Sequence, residues 1–253
     1  MDFKEANFKT AMHLATYIIN ECHPSNFFEN KNDEFLEKIL IPNKKTLLHD
    51  YIEFIHEDEL DYAIRKTGYE SIIDDVIDTL LFYNIDYPDM TEEEENDVEL
   101  KEEYYSKLIE LYYKLTPNIV EEIFTILYMD KEFLKKFNES ISEIIKDMKT
   151  DKYKIYLEKD GIVKRCTDLP KWLKNGVFFR DKWICQICGK DLTCMISTDS
   201  KLNYDYIIPL EKGGSNDPSN FQLTCKNCNT SKGTRLINMT SNLGGMFTTI
   251  VYK

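Results

Sequence analysis

The sequence predicts a mainly α protein with a small α+β unit towards its C-terminal end, and three observations carry that reading. Apolar residues recur at three-to-four spacing through the first 150 residues. The texture turns β-prone and turn-rich after residue 150, and two C-x-x-C pairs, Cys185/Cys188 and Cys225/Cys228, bracket the short strands that follow. The expected domains are an acidic helical domain over residues 1–150 and a cysteine-bearing domain over 151–253, with the boundary falling between 148 and 170.

In the first half, Ile72, Ile73, Val76, Ile77, Leu80 and Leu81 mark one helix, and Leu108, Ile109, Leu111, Tyr112 and Leu115 another. Breaks are expected at 23–26, 41–45, 87–97 and 116–118, where Pro, Asn and Asp combine, and Thr91 is placed to cap a helix that begins with Glu92 to Glu95. That acidic run is best read as a solvated helix start, since carboxylates suit the positive end of the helix dipole. Tyr104, Tyr105, Tyr112 and Tyr113 lie at helical spacing and read as packing residues. The four histidines, His13, His23, His49 and His56, all fall in this half without a metal-binding pattern, so no second active site is expected there.

The formal charge of −13 argues at first against a nucleic-acid partner, because phosphate contacts depend on Lys and Arg. The average hides a division: residues 151–253 carry +6 and residues 1–150 carry −19. The chain has no apolar run of spanning length, and its start carries acidic residues without a cleavage pattern, so neither a membrane span nor a signal peptide is expected and a cytoplasmic location is. In that compartment thiols stay reduced, so the seven cysteines, an odd number, do not read as a disulfide framework.

After residue 150, "KYKIYLEKDGIVKRCTD" predicts two short strands about Asp160-Gly161, and "LPKWLKNGVFFRDKWICQIC" a short helix leading into the first cysteine pair. "LNYDYIIPL" predicts a strand, "EKGGSNDPSN" a loop, and "FQLTCKNCNTSKGTR" a strand turning into a helix. Each cysteine pair bends into a knuckle offering two thiolates, and four soft sulfur ligands suit structural Zn²⁺; Cys194 is a substitute ligand, while Cys22 and Cys166 stand apart. So short a unit has little apolar surface to bury, which is the physical reason to clip its ends with a metal.

The residues "FRDKWICQICGK", "YDYIIPLEKGGSNDPSN" and "CKNCNTSKG" together resemble the zinc-containing HNH endonucleases over residues 175–236. The resemblance implies a C-terminal ββα-metal domain that hydrolyses phosphodiester bonds in DNA, with RNA a second candidate. It implies that Asp205 and Asn229 ligate a catalytic Mg²⁺ or Mn²⁺ and that Asn220 orients residue 206. Arg180, Lys226, Lys232 and Arg235 are candidates for the phosphate backbone. Small nucleases of this family often serve as effectors of restriction or antiviral defence systems, which would make the acidic helical domain a regulatory or partner-docking part.

One position departs from the family's pattern. Residue 206, where the resemblance calls for a histidine base, is Tyr, and no histidine lies in 151–253. A phenol with an ordinary pKa near 10 is protonated at neutral pH, unless a nearby cation lowers it and makes Tyr206 a base or a nucleophile. The sequence therefore leaves three readings: a working HNH nuclease in which Tyr206 or a metal-bound water does the activation, a natural inactive HNH-like module that binds DNA or a partner, or an engineered inactivating change at residue 206.

Overall fold

The structure is a computed structural model that describes residues 8–21, 23–28, 32–193 and 202–237. In chain order the helices are α1 (Phe8–Glu21), α2 (Pro24–Phe28), α3 (Asp33–Leu40), α4 (Leu47–Thr67), α5 (Ile73–Phe82), α6 (Glu92–Asn96), α7 (Val98–Tyr113), α8 (Thr116–Met129), α9 (Lys131–Lys146) and α10 (Thr150–Tyr153). The hairpin β1 (Leu157–Lys159) and β2 (Ile162–Val163) follows, then α11 (Lys171–Arg180), β3 (Asn203–Tyr206), β4 (Phe221–Thr224) and α12 (Lys226–Lys232). The mainly α expectation holds, with two small antiparallel sheets, β1-β2 and β3-β4. Cys22 and Cys194 lie outside the described residues.

Contacts divide the chain into two compact units, one of residues 1–20 and 49–126, the other of 21–48 and 127–253. The first unit is helical. Its buried side chains include Val76 and Leu80 from α5, Leu108 and Tyr112 from α7, and Ile119 and Ile123 from α8, at the spacing the apolar periodicity requires. Thr91 caps α6 as its sequence position suggests: its hydroxyl accepts the Glu94 N–H and the Glu94 carboxylate accepts the Thr91 N–H, closing a capping box. The buried His56 and His49 serve as packing groups, His56 against Tyr112 and His49 stacked on Phe124 at 3.8 Å.

The second unit is larger than residues 151–253. The loop between β3 and β4 is buried over 213–220, and helical segments from earlier in the chain cover it. Asn216 donates its N–H to the Ile39 carbonyl, Asp217 accepts the Leu47 N–H, Asn138 of α9 bonds Ser219, and Tyr128 donates to the Pro218 carbonyl. A loop rich in backbone polar groups can be buried only when each finds a partner, and these segments supply them. The paired glycines are required by the same close packing. A Cβ on Gly213 would lie 2.6 Å from the Ser142 carbonyl oxygen, and one on Gly214 would run into the Ile208 carbonyl. Gly161 turns the β1-β2 hairpin at φ +67°, the left-handed conformation that its Asp-Gly sequence favours.

Candidate functional site

The site grows from the β3-β4 hairpin and the helix that follows it. The hairpin pairs Asn203 with Thr224, Tyr204 with Leu223, Asp205 with Gln222 and Tyr206 with Phe221. Because successive strand residues face opposite sides, Asp205 and Gln222 share one face while Tyr206 and Phe221 share the other. Tyr206 and Phe221 lie with ring centroids 4.7 Å apart in a small core with Leu173, Val177, Leu192, Leu210 and Leu223.

The cysteine pairs close the two ends of this unit. The first knuckle is tied to β4 by the Gln186 N–H on the Leu223 carbonyl, and Gly189 completes its turn at φ +71°. The second pair starts α12, where the Cys225 sulfur caps the helix by accepting the Cys228 N–H. The sulfurs of Cys185, Cys188, Cys225 and Cys228 all lie within 4.8 Å of one another, with Cys188 and Cys225 at 3.9 Å. Zn–S bonds of about 2.3 Å in a tetrahedron place sulfurs about 3.8 Å apart, so the cluster has the dimensions of a structural zinc site. Its acid–base balance fits as well. Burial pushes the Cys185 thiol up, but backbone N–H donors outweigh it and bring it down to about 7, while sulfur neighbours push Cys228 up.

Asp205 stands on the other candidate centre. Its Oδ2 lies 2.8 Å from the Lys232 ammonium and accepts from the Gln222 carboxamide at 3.2 Å. Lys232 also donates to the Tyr206 main-chain carbonyl at 2.6 Å. Asn229 lies one turn before Lys232, on the same face of α12. Gln222, which sequence reasoning did not single out, is 1% exposed and its Oε1 has no hydrogen-bond partner. The oxygens gathered here are the Asp205 carboxylate and the Tyr206 carbonyl, and Gln222 turns its Nε2 towards both. Carboxylate and carbonyl are hard oxygens that suit a divalent cation such as Mg²⁺ or Mn²⁺.

Other expected site residues are placed differently from their sequence reading. Tyr206 is buried, and its hydroxyl donates to Asn216 Oδ1 at 2.8 Å. Asn216 in turn donates to the Leu40 and Lys164 carbonyls and accepts the Cys166 N–H. Burial pushes the phenol up to about 12, outweighing the Arg165 guanidinium that sits 5.0 Å from its ring centroid. Arg165 therefore does not bring the phenol below its ordinary value. Asn220 does not hold the Tyr206 side chain: its carboxamide accepts the Ile208 N–H and donates to the Ile208 and Ser215 carbonyls, so it fixes the loop backbone. The residue that meets the tyrosine is Asn216.

Two of the four expected phosphate-binding residues are buried. Arg180 pairs with the Asp181 carboxylate at 2.8 and 3.1 Å, donates to the Phe221 carbonyl at 2.5 Å and lies over the Tyr128 ring. Asp181 also accepts the Leu223 N–H, so this pair fastens α11 to β4 and is not offered to a ligand. Lys232, 3% exposed, is spent on Asp205 and the Tyr206 carbonyl. Lys226 is exposed at the start of α12, and Arg235, exposed three residues beyond its end, folds its guanidinium back onto the Lys232 and Ser231 carbonyls.

Among known protein families, residues 185–235 match the model described as HNH endonuclease. No curated protein and no solved structure matches the chain. The match begins at the first zinc-knuckle cysteine and ends at Arg235, just beyond α12, so it spans both cysteine pairs and the β3-β4 hairpin.

Proposed function

We propose that the HNH-type segment over residues 185–235 makes this chain a metal-dependent endonuclease acting on DNA, in which Asp205 anchors the catalytic cation and Tyr206 takes no part in proton transfer. The observation that supports this best is the convergence of the Asp205 carboxylate and the Tyr206 carbonyl on one buried cation, in the unit that carries a cysteine cluster of zinc-site dimensions. A divalent cation held there would bind the scissile phosphate and stabilise charge on the leaving oxygen. Asp205 holds and orients, Gln222 and Asn229 complete the oxygen set, and Asn220 keeps the β3 end in place through Ile208. Lys226 and Arg235 attract the backbone. Zinc in the cysteine cluster holds α12 to β4.

A second reading is favoured by one specific observation: the Tyr206 hydroxyl is enclosed and donates to Asn216, so the phenol at position 206 does not take a proton from water. On this reading the chain binds nucleic acid or a partner without cutting. A plasmid cleavage assay with Mg²⁺ or Mn²⁺ separates the two, comparing the chain with Asp205→Ala and Tyr206→His. Cleavage by the chain that Asp205→Ala abolishes supports the nuclease; cleavage by Tyr206→His alone supports the silent module. The helical unit, with 25 acidic against 7 basic residues, is proposed to dock a partner in a defence or restriction assembly. Recovery of one defined protein with the full chain, lost when Glu92 to Glu95 are replaced by Gln, would support that role.

A further inference from the structure

The Asp205 site already contains a cation, and it is covalently attached. The Lys232 ammonium contacts two oxygens, Asp205 Oδ2 at 2.8 Å and the Tyr206 carbonyl at 2.6 Å, and its side chain is 1% exposed. An ammonium this deeply buried is retained only where its charge is matched, and here the match is the carboxylate proposed to hold the catalytic metal. Resting on the nuclease reading above, we infer that Lys232 is the resident cation of the Asp205 site and that a divalent cation is admitted only in exchange for it.

Three features of the chain make the exchange feasible. Lys232 is the last residue of α12, followed by Gly233 and the exposed Thr234 and Arg235, so a four-carbon stem leaving the site has solvent beyond it. The two oxygens it holds are hard donors that a divalent cation also takes. Gln222 now turns its Nε2 towards Asp205 and leaves Oε1 buried and unsatisfied. Turning this carboxamide over would present an oxygen to an incoming metal at no change in volume, giving up the Nε2 contacts to Asp205 and the Tyr206 carbonyl. Both cations cannot remain, since like charges sharing one carboxylate repel strongly at this depth. The displaced ammonium would be free to pair with a phosphate of the nucleic acid.

The test is Mn²⁺ binding to the zinc-loaded full chain, followed by the paramagnetic resonance of free Mn²⁺, for the natural sequence, Lys232→Met, Lys232→Arg and Asp205→Asn. Lys232→Met is expected to bind Mn²⁺ about tenfold more tightly or better, Lys232→Arg no more tightly than the natural chain, and Asp205→Asn to lose the site. In the natural chain, Lys232 should resist amine methylation without Mn²⁺ and react once Mn²⁺ saturates. Asp205-dependent binding that Lys232→Met leaves unchanged or weakens would overturn the exchange while leaving Asp205 as the metal ligand. Binding indifferent to Asp205 in every form would overturn the metal reading itself. If Lys232→Met fails to fold, as judged by zinc content and circular dichroism, the methylation arm decides: Lys232 protected equally with and without Mn²⁺ refutes the exchange.

Discussion

Replacing Tyr206 by Phe isolates the phenolic oxygen from everything else the ring does. The substitution removes the 2.8 Å hydrogen bond to Asn216 but keeps the ring against Phe221 and under Arg165. Asn216 Oδ1 still accepts the Cys166 N–H at 3.1 Å, so the acceptor is not orphaned and the loss is that of one ordinary buried hydrogen bond, about 1 kcal/mol. For a chain of this size that lowers Tm by about 2–4 °C. Metal-dependent cleavage and nucleic-acid affinity should be unchanged, because the hydroxyl faces the core. Were Tyr206 a general base, its loss would slow cleavage by about 10²–10⁴-fold. A hundredfold loss of cleavage by Tyr206→Phe, with zinc content and thermal stability intact, would refute the assignment of Tyr206 to the core.

Chelation of zinc, or Cys225→Ser, should unfold the second unit, read as lost far-ultraviolet dichroism and rapid proteolysis from a starting content of one zinc per chain; a folded, zinc-free chain would count against the cluster's structural role. Arg180→Ala should destabilise by about 3–5 kcal/mol by stranding Asp181, whereas Lys226→Ala should leave stability alone and flatten the salt dependence of DNA binding. A 151–253 fragment should fail to fold, because segments 21–48 and 127–150 satisfy its buried loop; a two-dimensional NMR spectrum with dispersed peaks would show otherwise. His56 is held by burial at about 4, below its ordinary 6.5, so the unfolded chain binds the extra proton first. Its contribution is intact above pH 6.5 and falls by about 3 kcal/mol as pH drops towards 4; urea melts of His56→Gln should lose less over that range than the natural chain.

What the sequence made legible was local. The cysteine spacing, the Asp160-Gly161 turn, the Thr91 cap and the strand-loop-strand-helix order are each set by residues a few positions apart, and each is found where expected. Some breaks were misjudged for a local reason as well: Pro24 and Pro117 sit in the first turns of α2 and α8, where a missing N–H does no harm, so they begin helices. What was hidden was non-local. Arg180 and Lys232 read as surface cations because their partners, the Phe221 carbonyl and Asp205, lie 41 and 27 residues away. Asn216 and Asn220 are indistinguishable as loop asparagines until the loop folds over Ile208 and one of them faces the tyrosine. The helices over 33–40 and 131–146 have buried faces, and nothing local to them announces that they cover a glycine-rich loop.

The buried cations do not weaken the electrostatic case for a polyanionic partner. The second unit carries 25 basic and 20 acidic residues, and Arg180 and Lys232 are each matched inside it by a carboxylate within 3 Å. Removing both pairs from the count leaves its excess at +5, so that excess belongs to the remaining groups, Lys226 and Arg235 among them. The first unit carries −18 and contributes the opposite field. With a Debye length of about 8–10 Å at physiological salt, two such fields act on a nucleic acid largely through the surface it touches, and compete over distance only when salt is low. Affinity at low ionic strength should therefore rise less steeply than the exposed cations of the second unit alone would dictate. Neutralising Glu92 to Glu95 should steepen that rise without altering binding at physiological salt.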